Sequence, residues 1–327
     1  MAHTGEGDTR VSWSSVYSRQ PQLISKQSFI PRQCQKAVSS AVCCTVMHPF
    51  TYCKTLVQFG HEPMEPKLSK NWLGTPVLML PSIFQYIRHV KRREGFTGCY
   101  RGLSGNIATH VVRNFTYDYV ERWMNTVDEE SSRQDDEESD GSQKVVAKRI
   151  LKQVCVHGVS IVVSQPFHVI TCRMMVQFIG QETKYNGIFG SIREIYHSDG
   201  ILGFFAGIVP KLIGDITLVA LTQYTNYWIN RLVSDPNVRT IAPYITSMVC
   251  SSVMYPFTIV SNCMAVNDCG LVGGVPPHMP LYADWTQCYS HLRSIGQLNR
   301  GGSLGGRYYV SGPTAIILAS SLRKRVG

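Results

Sequence analysis

Asn106, His110, Arg113 and Tyr117 stand at i, i+4, i+7 and i+11 of one largely apolar stretch, with Asn114 and Asp118 beside them. A helix there carries one stripe of hydrogen-bonding and charged groups. In another stretch Lys211 and Asp215 are one helical turn apart, on a face shared with Thr222 and Asn226. Lys54 and Tyr255 lie beside prolines, near Pro49 and Pro256. None of these sets joins a nucleophile to a base or gathers metal ligands; what they can do is hold charge and water inside an apolar surrounding. An ionisable group in such a place is costly unless it pairs or meets water, which marks it as a functional candidate. A structural ion pair that fixes helix packing uses the same residue types at the same spacing.

Other chemistries find no footing. No signature links Ser to His, and Gly273 to Pro277, GGVPP, reads as a loop rather than a phosphate cradle. The eleven cysteines show neither paired C-x-x-C spacing nor the density of a disulfide framework, so they read as small apolar fillers. The expectation is no catalytic residue, no metal and no cofactor. The net charge of +10 conceals a segregation, because eight of the 22 acidic residues fall between Asp128 and Asp140. Basic residues cluster beside apolar segments, as at Lys91-Arg92-Arg93 and Arg323-Lys324-Arg325, without interleaved aromatics. That is the pattern of membrane-helix flanks, so the expected partner is a lipid bilayer and not nucleic acid.

The elements that must position these groups follow in chain order. Residues 1–33 are polar and read as a disordered arm, neither a signal peptide nor an acid-poor presequence. Cys34 to Phe59 is long enough to cross a bilayer but is interrupted by Ser, Thr, His and Lys, so one side must face a polar cavity. A Pro-rich loop then leads to Ser82–Arg93, whose apolar Ile83, Phe84, Ile87 and Val90 alternate with polar residues as in an interfacial helix. A glycine elbow from Glu94 to Gly102 returns the chain to a second span, Leu103 to Met124. Residues 127–142 are acidic and read as a disordered loop. Val145–Ile179, Ile188–His197 and Ala206–Leu232 repeat span, surface helix and span. Ile241–Asn267 and Trp285–Ile295 begin a third round, after which only a short apolar core, Ala315 to Ala319, follows Pro313. Five complete crossings are expected, with the sixth helix short or missing.

Pro49-Phe50, Pro166-Phe167 and Pro256-Phe257 recur at intervals of about 100 residues once the acidic segment is set aside. Glu94–Gly102 and Asp199–Gly207 both run acid-Gly, aromatic, Gly. Three such repeats resemble the mitochondrial carrier family. The resemblance implies an all-α membrane protein, a three-repeat helical bundle whose odd-numbered helices kink at Pro49, Pro166 and Pro256. On that pattern residues 34–126 form repeat one, 127–142 the acidic loop, 143–235 repeat two, and 236–327 a degenerate, truncated repeat three.

Solute carriers of this family have P-x-[DE]-x-x-[KR] at the proline ends, where acid and base pair to close one gate. Here the acidic position holds Thr51, His168 and Thr258, and the basic position Lys54, Thr171 and Ser261. No ring of three ion pairs can form. Stretches such as GILGFFAGIVPKLIGD, Gly200 to Asp215, resemble an outer-mitochondrial-membrane branch of the family. That resemblance implies a multi-pass outer-membrane protein that inserts α-helical and tail-anchored clients and is linked to Bcl-2-type partners; a Bcl-2-type receptor, or a diverged solute carrier, are the alternatives. Physics reaches the insertase idea separately. A carrier ring lacking one helix turns its polar stripes sideways, as a hydrophilic groove expected to use Lys54, Asn106, His110, Arg113, Asp118, Lys211, Asp215 and Tyr255.

Overall fold

The computed structural model describes residues 29–70, 76–132, 143–303 and 307–308. Eight α-helices run through them: α1 Phe29–Gln58, α2 Ile83–Gly98, α3 Leu103–Ser132, α4 Gln143–Gly180, α5 Gly187–Asp199, α6 Ile208–Leu232, α7 Pro236–Val266 and α8 Trp285–Ser294. The protein is an all-α membrane bundle built as long helix, short amphipathic helix, long helix. Pro49, Pro166 and Pro256 lie inside α1, α4 and α7, where each removes a backbone donor and its ring displaces the preceding turn.

The elbows are where backbone freedom is needed. Gly95 takes φ 79° inside α2 and breaks it into two segments. Gly207, at φ 72°, opens α6, and a Cβ there would stand 2.3 Å from the Ser261 carbonyl oxygen of α7. Only glycine allows both the left-handed turn and that approach.

Several boundaries differ from the sequence expectation. Residues 29–33, assigned above to a disordered arm, are the first turn of α1; Pro31 sits where its missing N–H costs nothing. Residues 1–28 lie outside the described residues. The first part of the acidic segment, 127–132, continues α3, held where Lys152 of α4 pairs with Asp128 and donates to Asn125 at 2.6 Å. The rest of that segment, 133–142, is outside the described residues.

The expected Pro-rich loop also contains structure. Strand β1, Lys67–Lys70, runs antiparallel to β2, Pro76–Leu80, with Lys67 opposite Met79. A two-residue strand β3, Arg307–Tyr308, adds to the other edge of β2, with Leu80 opposite Arg307. Arg307 is buried; it donates to both oxygens of Glu62 at 2.6 and 3.3 Å and to the Pro81 carbonyl. Burial raises the Glu62 carboxyl above its ordinary value, against the opposing pull of that guanidinium. After α8 the chain is thus bound to the loop of repeat one. Residues 309–327, with Pro313 and Ala315–Ala319, lie outside the described residues.

Among the described residues, length and apolarity together mark three helical stretches as able to cross a membrane: Val146–Gly180, Leu202–Leu232 and Pro236–Val266. α1 and α3 have 30 residues each, enough for a bilayer of about 30 Å at 1.5 Å per residue, but their polar stripes lower their apolarity. The five expected crossings are therefore three by apolarity, with α1 and α3 long enough but too polar to stand beside them.

Neighbouring long helices pack in the order α1, α3, α4, α6, α7. The core lies at the proline end: Tyr52 and Leu56 of α1, and Phe59 just beyond it, meet Ile170 and Met175 of α4 and Val260 of α7, closed underneath by Tyr86, Ile195 and Leu292 of the amphipathic helices. Away from this end apolar side chains face outward, among them Val38, Val42 and Val46 of α1 and Ile241, Ile245 and Met248 of α7. In a bilayer such faces meet lipid. Asp235 caps α7, its carboxylate accepting the Asn237 N–H at 2.9 Å with Pro236 at the first helical position. An Asp235→Ala change is expected to cost about 1 kcal/mol and to lower the unfolding temperature in detergent by a few degrees. An unchanged melt would show that this end of α7 adds nothing to stability.

Candidate functional site

The polar residues singled out above fall into three neighbouring groups, each placed by a different pair of helices. Between α1 and α3 lies a groove of about 700 Å³, lined by Ser40, Cys44 and Thr51 from one side and Asn106, His110 and Asp118 from the other. The spacing of these residues on each helix aims them at the same gap. At one end Lys36 forms an ion pair with Asp118 at 2.5 Å, and Gln33 donates to the same carboxylate. Deeper in, Asn106 meets Nδ1 of the buried His48 at 3.4 Å, while His48 Nε2 contacts the Arg101 carbonyl at 3.0 Å.

The second group joins α3 to α6. Asp215 meets the Arg113 guanidinium at 3.9 Å, with both side chains about 30% exposed. The sequence places Lys211 as its nearest partner; the structure gives the carboxylate a partner on another helix instead, because α3 and α6 flank α4 and turn these faces inward. Lys211 lies within electrostatic reach of Arg113, Asp215 and Cys172. Arg113 Nε, Thr222 Oγ1 and Asn226 Oδ1 are buried polar atoms with no protein partner among the described residues. Buried polar atoms of this kind call for water or a polar guest.

The third group closes the proline end. Lys54 Nζ sits 5.0 Å from the centre of the Tyr255 ring. Gln58 donates to the Tyr255 hydroxyl at 2.8 Å and accepts from Asn262 at 2.7 Å; Asn262 Oδ1 in turn lies 3.1 Å from His168 Nε2. Tyr255 donates to the Arg300 carbonyl at 3.0 Å, and Arg300 donates to the Gln58 carbonyl. One chain of hydrogen bonds through Gln58, Asn262 and His168 ties α1, α7 and α4 together without a carboxylate. The polar contacts between α1 and α7 are gathered here.

Of the eight expected groove residues, Asn106, His110 and Asp118 line the groove, Arg113, Lys211 and Asp215 form the inner cluster, and Lys54 and Tyr255 belong to the closure. Sequence reasoning missed Lys36, Gln58 and Asn262. Their signal was present, since Lys36 extends the α1 polar stripe and Asn262 interrupts an apolar run, but their partners are distant in the chain. At the elbow Arg101 pairs with Glu94 at 2.9 Å, and burial raises the Glu94 carboxyl above its ordinary value. All eleven cysteines are free, and no metal-ligand cluster occurs among the described residues.

Residues 26–128 and 142–237 match a sequence model of the family described as mitochondrial carrier protein. The chain is 37% identical over 275 residues to mitochondrial carrier homolog 2 of Homo sapiens, covering 81% of this chain and 91% of that protein. It is 35% identical over 289 residues to mitochondrial carrier homolog 1 of Mus musculus, covering 81% and 74%. With the mitochondrial 2-oxodicarboxylate carrier of Rattus norvegicus the identity is 27% over 160 residues, covering 46% of this chain and 50% of that carrier.

Proposed function

The chain belongs to the mitochondrial carrier family, and from that premise we propose that it inserts α-helical and tail-anchored proteins into the outer mitochondrial membrane rather than exchanging solutes. The observation that carries this reading is the pairing of an open polar groove on α1 and α3 with a closure at the proline end that contains no acid–base pair. Alternating access needs a gate that opens at low cost. Ion pairs near water can exchange partners, whereas Gln58 and Asn262 are buried, so parting them leaves polar groups unsatisfied, each costing about 1–3 kcal/mol.

The groove suits a different task. Moving the polar flank of a client helix through hydrocarbon strands backbone groups at several kcal/mol each. Side chains such as Asn106, His110 and Asp118 offer those groups partners while the apolar part of the client slides into lipid. The side chains of α1 carry both environments, groove-lining Ser40 and Cys44 on one face and exposed Val38, Val42 and Val46 on the next.

Liposomes with and without the purified protein, offered a newly made tail-anchored substrate, test the reading by protease protection. Insertion is expected to rise several-fold with the protein, and no saturable counter-exchange of nucleotides, carboxylates or amino acids should appear. Equal protection in both sets would remove the insertase reading. Binding of a Bcl-2-type protein without any gain in insertion would support the receptor alternative, and robust exchange would return the chain to the solute carriers.

A further inference from the structure

The two walls of the groove are tied at its ends and stand apart between them. At the open end Gln33 and Lys36, one turn apart on α1, both donate to Oδ2 of Asp118 on α3, each at 2.5 Å. At the other end Asn106 of α3 meets His48 of α1. Between these levels the lining residues Ser39, Cys43 and Met47 on one wall and His110 and Asn114 on the other make no hydrogen bond across the gap among the described residues. Lys36 and Asp118 themselves line the groove, so their ion pair bridges its mouth.

The two ties differ in what it takes to part them. His48 is buried, so taking it from Asn106 and the Arg101 carbonyl leaves its ring nitrogens without partners. Lys36 is 57% exposed, so its ammonium keeps water when it lets go, and pairs of this kind hold only weakly. Asp118, 13% exposed, needs another donor in exchange. Both present donors converge on Oδ2, which leaves Oδ1 to accept from a third. An N–H at the flank of an entering helix can bind there before the present bonds break, and a carbonyl or carboxylate of the same flank can then take the ammonium.

We propose that Gln33, Lys36 and Asp118 form a clasp across the groove mouth, and that the polar flank of an inserting helix enters by exchanging partners with it. The proposal rests on the insertase reading and adds the step that admits the client.

Lys36→Glu sets two carboxylates against each other and holds the mouth open, whereas Lys36→Glu/Asp118→Lys restores the pair with its signs reversed. Each protein is placed in liposomes of uncharged lipid and read in two ways. The first does not involve insertion: a small, uncharged, water-soluble maleimide labels the cysteines, and mass spectrometry compares groove-lining Cys44 with exposed Cys34 near the start of α1. The second is the initial rate, per folded protein, of protein-dependent insertion of a tail-anchored substrate with an uncharged flank. In Lys36→Glu the Cys44-to-Cys34 labelling ratio and the insertion rate are both expected to rise about three- to tenfold. Both should rise in the unaltered protein as salt weakens the pair, and the double variant should return both to the unaltered level. The labelling ratio is read within each preparation, so a lower yield of folded protein does not move it. Unchanged labelling in Lys36→Glu would show that the pair does not close the mouth, and faster labelling without faster insertion would show that flanks enter elsewhere; either result overturns the clasp and leaves the insertase reading standing. No insertion above the protein-free level by any of the three proteins would take down both.

Discussion

An Asp215→Arg variant is expected to lose most of its protein-dependent insertion while remaining in the membrane. The carboxylate faces the Arg113 guanidinium at 3.9 Å, with Lys211 close by. At an effective dielectric near 20, such a pair is worth about 4 kcal/mol at 4 Å, and reversal turns that attraction into repulsion of the same order. The variant would set the new arginine against Arg113 and Lys211 with no anion between them, next to groove-lining His110. Insertion should fall about tenfold or more, most steeply for clients with charged flanks, since a purely apolar helix needs the path least. A purely structural role makes a different forecast: lower abundance, aggregation, and recovery of both abundance and insertion in an Arg113→Asp/Asp215→Arg exchange. Normal insertion by a stably folded Asp215→Arg variant, across clients of different flank charge, would end the assignment of Asp215.

The largest loss of stability is expected from Arg173. Its side chain is 1% exposed, yet it pairs with Asp199 at 2.6 Å, donates to the Ala265 carbonyl at 3.2 Å, and meets the Tyr185 hydroxyl at 3.4 Å. One guanidinium thus joins α4 to the end of α5 and to α7. Arg173→Leu would strand the Asp199 carboxylate and remove a donor from both other partners, at a cost of about 3–5 kcal/mol. Thermal unfolding in detergent should show it as the most damaging of the single changes considered, and Arg173→Leu/Asp199→Leu should recover part of the loss by removing the uncompensated charge. A melting curve like that of the unaltered protein would mean that water reaches the pair and carries most of its solvation.

Local features were the legible ones. The glycine elbows, the prolines inside long helices and the amphipathic spacing of Ile83, Ile87 and Val90 are each set by backbone geometry over a few residues, and each stands in α2, α3 or its repeats as the pattern indicates. What the sequence hid was pairing across the bundle. Arg173 reads as an anomaly in an apolar run because Asp199 and Tyr185 come together with it only after α5 folds back on α4. Asp215 and Lys211 satisfy the spacing of an intrahelical pair, and that spacing masked Arg113, which is brought near only by packing of α3 and α6 around α4. β3 has no local signal at all, because two residues acquire strand character only through the edge of β2. Helix ends were misjudged where polarity was read as disorder, in residues 29–33 and 127–132, although acidic and amide side chains extend a helix well when a neighbour such as Lys152 holds them.

The ties at the proline end turn the bundle into a lever. α1 and α7 are fastened to each other through Gln58, Tyr255 and Asn262, and β3 fastens the third repeat to the first on the same side. Any widening between them is therefore angular, with its fulcrum at those bonds. α1 has 30 residues, about 45 Å of helix, so a swing of about 13° moves its far end by about 10 Å, the width of a helix. Near the fulcrum the same swing moves side chains by only about an ångström, and the closure stays intact. A passage that widens at its far end and stays shut at its fulcrum is a wedge-shaped slot, the shape that the proposed insertase needs to release a helix sideways.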